Sequence, residues 1–383
     1  MSPGYELISQ DELKELSSIF KKSKTLSRMG FDKIRKNIFK VKEFEKLFKK
    51  KINSKYALAV TSGTAALRVA LSTLDLKKND EVITQSFTFV ATAEAIIEAG
   101  AKPICCNIDE TLNLDPLDFE KKINKKTKAV IVVHMLGAPG HMGLIKKICL
   151  KRKIKLIEDT AWGCGGKYGN DYLGTIGDIG CFSFDFAKTI TTGEGGMLVF
   201  KKKKDFEIAS AWHDHGHENN PKLNRWEDSR KKSGFNFRMN EMQGAVGKAQ
   251  LKKLSKLVKK QNLNYRKIWD EIKNFKEIKL REIPKNSYIT ADALIFSLQS
   301  KKQALKFRKE LLKRNIMTKI LPEAINWHFA GKWEHIKCIF ANRSQLKKTQ
   351  TILSKSVSIP IFFNMDKNFP SRVKSALIKA IRS

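Results

Sequence analysis

The sequence predicts an α/β fold: a large unit built on a mostly parallel, doubly wound sheet, followed by a smaller C-terminal α+β unit. Three observations carry that prediction. From residue 56 onward, short apolar runs of strand length alternate with helix-length segments, the pattern of a sheet whose crossovers are helices. Two strand ends run into chemistry-bearing residues, the small-residue turn Ser62-Gly63-Thr64 and the acidic pair Glu158-Asp159, where open α/β sheets bind ligands. A long amphipathic stretch over 240–273 then leads into a second, shorter series of strands and helices. The division this implies is residues 1–255 for the large unit, with its N-terminal arm, and 256–383 for the small one.

Taken in order, residues 1–50 read as mostly helical. Leu13, Leu16 and Phe20, and then Phe44, Leu47 and Phe48, recur at helical spacing around a break at Met29-Gly30. A strand over 56–60 enters the turn at 61–67, which opens a helix to about residue 74. Strands follow at 81–84 and 103–108, the second ending in Asp109, with a helix over 88–99 between them. The β-branched run 129–134 is a buried strand, 142–152 a helix, and 154–157 a strand ending in Glu158-Asp159. Apolar alternation at Cys181, Phe182 and Phe184 stops at Lys188, and a Thr/Gly-rich turn leads to a further strand at 197–200. A helix over 206–212 precedes a His-rich loop. The 240–273 helix is predicted to break near Gln261. The small unit holds strands at 293–298 and 357–361, helices at 302–314 and 371–381, and a loop with Trp327 and His328.

Composition narrows the function classes. A chain of 383 residues, 42% of them hydrophobic, is long enough to bury a large core. No apolar stretch reaches membrane-spanning length and the start lacks a signal-peptide pattern, so a cytoplasmic location is expected. The six cysteines form no CxxC pair and are expected to be reduced core residues rather than zinc ligands. The 74 Lys and Arg against 39 Asp and Glu leave a formal charge of +35, but the lysines are dispersed. No basic block is interleaved with stacking aromatics. The reading is a solvated basic face that attracts anionic small substrates, with no specific nucleic-acid partner.

Four places could carry chemistry. Lys188 lies between two buried strands, where an ammonium is costly unless paired or neutralised; it is either tied up as a Schiff base or turned out on a surface loop. Ser62-Gly63-Thr64 opens a helix and suits a phosphate, or is a plain N-cap; it matches neither GxGxxG nor a Walker A loop. Asp159 could hold a pyridinium nitrogen protonated, which lets pyridoxal phosphate act as an electron sink, or could cap the following segment. Ser183, five residues before Lys188, could meet the same phosphate or bond to backbone. His213, His215 and His217, with Asp214 and Glu218, lack an HExxH or CxxC partner, so the loop is read as lining a substrate and no metal is expected.

The segments SGTAAL, FTFVATAEAI, EDTA, FSFDFAKTITTGEGG and GFNFRMNEMQGAVGKAQL, in that order, resemble the DegT/DnrJ/EryC1/StrS sugar aminotransferase family over nearly the whole chain. The resemblance implies a fold type I, pyridoxal 5′-phosphate-dependent aminotransferase that works as a homodimer with active sites at its interface. It makes Lys188 the Schiff-base lysine, Asp159 the partner of the pyridine nitrogen and Phe89 the ring that stacks on the cofactor. Gly63, Thr64 and Ser183 match phosphate contacts, and Asn236 matches one given by the neighbouring subunit. Members with His in place of the lysine are dehydratases; this chain keeps the lysine. One departure stands out: Trp162 occupies a position where relatives often carry Gln or His near the cofactor's ring oxygen.

The PGYEL start, CFSFD, the DHGH loop and NWHF…KWEHI are similar to members that aminate the 8-position of a 3-deoxy-octulosonic acid, giving 8-amino-3,8-dideoxy-manno-octulosonate for lipopolysaccharide, with glutamate as donor. His215, His217 and His328 are the candidates for touching that carboxylate-bearing keto-sugar. Two alternatives stay open: a nucleotide-sugar 3- or 4-aminotransferase of the perosamine type, and a nucleic-acid-binding or regulatory protein on an inactive aminotransferase scaffold.

Overall fold

The computed structural model of the chain describes residues 3–220, 222–322 and 325–382. At its centre is a seven-stranded sheet of β1 (Tyr56–Val60), β2 (Glu81–Gln85), β3 (Lys102–Cys106), β4 (Thr127–Val133), β5 (Lys155–Asp159), β6 (Ile179–Ser183) and β7 (Gly196–Phe200), in the order β1-β7-β6-β5-β4-β2-β3. β7 runs antiparallel to both its neighbours, and every other adjacent pair is parallel. The reason is connection length. Parallel neighbours need a long crossover, whereas β6 and β7 are joined by a short loop over residues 184–195. Lys188 sits on that loop.

Both faces of the sheet are covered, which is why the strands read as near-continuous apolar runs. Ile131, Ile179, Leu198 and Phe200 face the helices Gly63–Leu71, Ala91–Glu98 and Lys203–Trp212. Alternate residues face the other way. Val130 and Val132 pack towards Met142–Arg152, and Phe182, Met197 and Val199 pack on Lys40–Lys51 and the long helix Glu241–Ile272. The doubly wound, mostly parallel architecture is therefore present. Asn240 and Gln243 close a reciprocal capping box at the start of the long helix, at 2.9 and 3.1 Å.

That helix is continuous, so the break predicted at Gln261 is absent. The polar run that suggested it grips the C-terminal segment instead. Gln261 is fully buried and donates to the Ala291 carbonyl at 3.4 Å, Asn262 to that of Ile289 at 2.9 Å, and Asn264 to that of Phe362 at 2.7 Å. The predicted division at 255/256 falls inside this helix. Beyond it, Ile278–Leu280, Ala293–Leu298 and Ser356–Pro360 form an antiparallel sheet with Ala293–Leu298 in the middle. The helices Lys301–Leu312 and Phe369–Arg382 pack on it together with Ile268 and Ile272.

The helical reading of the first 50 residues holds for Gln10–Ser18 and Lys40–Lys51, although Leu13 and Phe20 are 54% and 56% exposed. The buried residue of Gln10–Ser18 is Glu12, which pairs with Lys253 and Gln250 on the long helix. Pattern reading also missed the helices Pro116–Lys122 and Lys347–Lys355 and the strand Ile278–Leu280. Cys338 is exposed, against the expectation of a core residue. Among the described residues, no helix is long and apolar enough to cross a membrane.

Candidate active site

At the C-terminal ends of the parallel strands lies a cleft of about 360 Å³. Each wall follows from local sequence. Ser62 caps the helix Gly63–Leu71 by accepting from the Ala65 N–H at 3.0 Å, which leaves the positive end of that helix at the cleft. Gly63 is needed for a steric reason: a Cβ there would lie 2.7 Å from the Ser183 Cβ. The absent side chain lets the end of β6 and the helix N-terminus meet. Ser183 lines the cleft beside them, its Oγ accepting from the Asp185 N–H at 3.3 Å.

Asp159 ends β5 on the cleft floor. Its Oδ2 accepts from Thr92 Oγ1 at 3.0 Å and its Oδ1 from the Ala161 N–H at 3.1 Å; Thr92 is in turn 2.9 Å from Thr88 Oγ1. Burial pushes the Asp159 carboxyl up, while these donors and the charge of Lys188 favour the carboxylate. Glu158 points to the opposite face of the strand, as alternation requires. It lies 2.8 Å from His134 Nε2 and accepts from the N–H groups of Gly174, Ile176 and Gly177. Of the two adjacent carboxylates, one ties the sheet to a loop and the other faces the cleft.

Lys188 is half-buried, with Nζ 3.6 Å from the centroid of the Trp162 ring. Burial pushes its ammonium down to about 8, against the pull of Asp185, Asp159 and Asp292. A neutral amine is therefore accessible near physiological pH. The loop that carries it is clamped by the N-terminal segment. The Gly4 N–H donates to the Lys188 carbonyl at 3.2 Å, and Tyr5 stacks on Phe186 at 5.2 Å. Glu6 accepts from the N–H groups of Phe363 and Asn364 at 3.1 and 2.9 Å. A Cβ at Gly4 would lie 2.6 Å from the Lys188 carbonyl oxygen. Gly4→Ala should therefore displace the lysine loop and weaken cofactor retention roughly tenfold, about 1.4 kcal/mol. Fluorescence titration of the apo chain with pyridoxal phosphate checks this, and unchanged affinity would remove the clamp from the account.

Phe89, 42% exposed, and His328 also line the cleft, their rings 5.5 Å apart. Thr64 lines it as well. Asn236 does not: it is exposed, its Oδ1 accepts from the Arg238 N–H at 3.3 Å, and it pairs through backbone with Asp214. Nor do His215, which is exposed, or His217, which is buried with Nδ1 3.3 Å from Asp228 Oδ2. His213 Nδ1 faces the Ser210 carbonyl, so the three histidines do not converge. What organises their loop is Asp214. It is fully buried and takes two bonds from Arg225, at 2.7 and 2.8 Å, and one from Arg238 at 2.6 Å. Pattern reading passed over Thr92 and Glu194, which also line the cleft. Thr92 lies in the first turn of the helix Ala91–Glu98, and Thr88 in the segment that leads into it.

The DegT/DnrJ/EryC1/StrS aminotransferase family description matches residues 29–378. The chain belongs to this family. Like its aminotransferase homologues, it is a pyridoxal-phosphate-dependent enzyme of the transaminase class. An uncharacterized protein of Methanocaldococcus jannaschii, MJ1066, is 32% identical over 359 residues, covering 89% of this chain and 90% of that one. GDP-perosamine synthase of Escherichia coli O157:H7 is 40% identical over 212 residues, covering 55% of this chain and 57% of that enzyme, so the match spans little more than half of it. Among solved structures, Helicobacter pylori PseC, an aminotransferase of pseudaminic acid biosynthesis, superposes with a TM-score of 0.86 at 24% identity. It covers 100% of this chain and 98% of that one. The fold type I assignment follows from that likeness. The DegT/DnrJ/EryC1/StrS motifs read from the sequence converge on the cleft, apart from Asn236 and the two loop histidines.

Proposed function

We propose that this chain moves an amino group from glutamate to a keto-sugar, with the 8-position of 8-oxo-3-deoxy-manno-octulosonate as its acceptor. The observation that carries the aminotransferase part is the pairing of Lys188 and Asp159 in one cleft beside a helix N-terminus. The residues present fit pyridoxal phosphate. Glycine at position 63 makes room where a Cβ would collide, a fixed carboxylate faces the floor, and Phe89 offers an aromatic face. When bound, that cofactor supplies an aldehyde and an electron sink.

The chain's own groups do the rest. The N-terminus of Gly63–Leu71, with Thr64 and Ser183, holds the phosphate. Asp159 holds a proton at the ring nitrogen. Lys188 would hold the aldehyde carbon of the bound cofactor and, once freed as a neutral amine, would be the base within reach of the proton on the donor's α-carbon. The acceptor assignment is supported by the DHGH and NWHF…KWEHI stretches, of which His328 reaches the cleft. We place Asn236, which is exposed and lies outside the cleft of its own chain, at the active site of a second copy in a homodimer.

A nucleotide-linked keto-sugar is the second reading, favoured by the 40% identity to a GDP-perosamine synthase. Amine transfer from glutamate to a panel of keto-sugars, read by mass, separates the two. A product only with free 8-oxo-3-deoxy-octulosonate supports the first reading. A product only with a 3- or 4-keto nucleotide sugar overturns it in favour of the second.

A further inference from the structure

Trp162 stands where the family pattern offers a polar side chain to the cofactor, and neither the fold nor the proposed chemistry has so far required an indole there. Its surroundings are specific. Lys188 Nζ lies 3.6 Å from the ring centroid and Lys319 Nζ 5.1 Å from the same centroid. Lys319 is bonded to Asp292 at 2.6 Å, and the two side chains are 8% and 2% exposed. Both come from segments flanking the second sheet. The Lys319 N–H donates to the Ser358 carbonyl at 3.0 Å, Ser358 Oγ bonds the Lys319 carbonyl, and the Ile361 N–H reaches the Asp292 carbonyl at 3.3 Å. Trp162 lines the cleft, whereas Lys319 and Asp292 do not. The buried pair is set behind Trp162 and bears on Lys188 through its charge.

We infer that Trp162, Lys319 and Asp292 form a seat for the Lys188 side chain: the indole face orients Nζ, and the Lys319 ammonium keeps Asp292 from locking that Nζ in its charged form. This deepens the reading of Lys188 as the amine that bonds the cofactor and rests on it. The charges that bear on Lys188 are Asp185 on its own loop, Asp159 at the end of β5, and Asp292 and Lys319 from the flanking segments. Glu194 and His328 also line the cleft. Three carboxylates favour the ammonium, and in a partly dry site a nearby anion is worth on the order of a tenfold change in protonation. Pairing Asp292 with Lys319 cancels most of one of them. The indole face, 3.6 Å from Nζ at its centroid, also fixes the amine in direction by packing contact, whatever its charge. Lys319 and Asp292 are thus positioning residues, separate from the groups that touch the reactants.

The test titrates Lys188 in the apo chain by competitive acetylation against a reference amine, read by mass spectrometry across pH. In Lys319→Met, Asp292 is unbalanced, and roughly tenfold less neutral Lys188 is expected at pH 7. Lys319→Arg should stay within twofold of wild type, and so should the double variant Asp292→Asn/Lys319→Met, which removes both charges. A Lys319→Met titration within twofold of wild type overturns the inference, as does a double variant that behaves like the single one. If Lys319→Met does not fold, the double variant and Trp162→Leu keep the question decidable. At pH 10 the amine is neutral in every variant, so capture of pyridoxal phosphate then reports orientation alone. Trp162→Leu should slow it at least tenfold and Trp162→Phe about threefold; unchanged capture in Trp162→Leu refutes the seat. Acetylation needs no cofactor. A wild-type chain that yields no borohydride-trapped pyridoxyl mass on Lys188 sinks the cofactor reading, whereas a trapped Lys188 with unshifted variants sinks only the seat.

Discussion

Lys188→Ala is expected to lose transamination by at least about a thousandfold, because one side chain serves both as the group that bonds the cofactor and as the base that moves the α-proton. The protein should also stay colourless with pyridoxal phosphate and show no pyridoxyl mass after borohydride. The fold should not suffer. Burial holds the Lys188 ammonium at about 8, below the ordinary lysine value of 10.5, so the unfolded chain binds the proton more tightly than the folded one. For a lysine lowered in this way, stability rises with pH between about 8 and 10.5, and the full cost of the buried charge is present below that window. Removing the side chain should leave the apo variant at least as stable at pH 7 and flatten its melting profile from pH 8 to 10.5 relative to wild type. Turnover within tenfold of wild type would overturn the assignment. Mixed and reassociated with Asn236→Ala chains, Lys188→Ala should recover measurable activity, since one of the two shared sites then holds intact groups from both subunits. No recovery would argue against sites shared across a dimer.

How much of this was legible in the sequence depended on how each residue is held. Lys188 and Asp159 could be read because each follows a short apolar run, and the end of a buried strand is where a polar side chain meets a cleft. Gly63 could be read because a small-residue turn between strand and helix has few other purposes. Lys319 and Asp292 could not. They sit in loops around the second sheet, distant in sequence from Lys188, and their relation to it exists only once Trp162 has packed between them. Other outcomes have the same origin. The periodicity of Leu13 and Phe20 is genuine, but burial went to Glu12, because Lys253 on the long helix offered it a partner. Gln261 interrupts an apolar stripe, yet the interruption is a buried hydrogen bond to a distant carbonyl. Local pattern shows which residues can be buried, whereas partners far along the chain decide which ones are.

Asp159→Asn separates stability from chemistry most sharply. The amide has nearly the shape of the carboxylate, and the Ala161 N–H and Thr92 hydroxyl can both still bond to it. Burial raises the Asp159 carboxyl above its ordinary value, so the charged form costs the fold stability at neutral pH. The apo variant should therefore melt no lower than wild type at pH 7, and the gap in its favour should close as pH falls towards 4. The neutral amide cannot hold a proton at the ring nitrogen, so the rate should fall by about a hundredfold or more and cofactor affinity by about tenfold. Loss of neutral Lys188 cannot be the cause. Asp159 is one of the carboxylates that favour the Lys188 ammonium, so its removal increases the fraction of neutral amine. Capture of the aldehyde by Lys188 should be as fast or faster in the variant while turnover collapses. Slow capture together with slow turnover would place the defect at Lys188 and contradict the ring-nitrogen role.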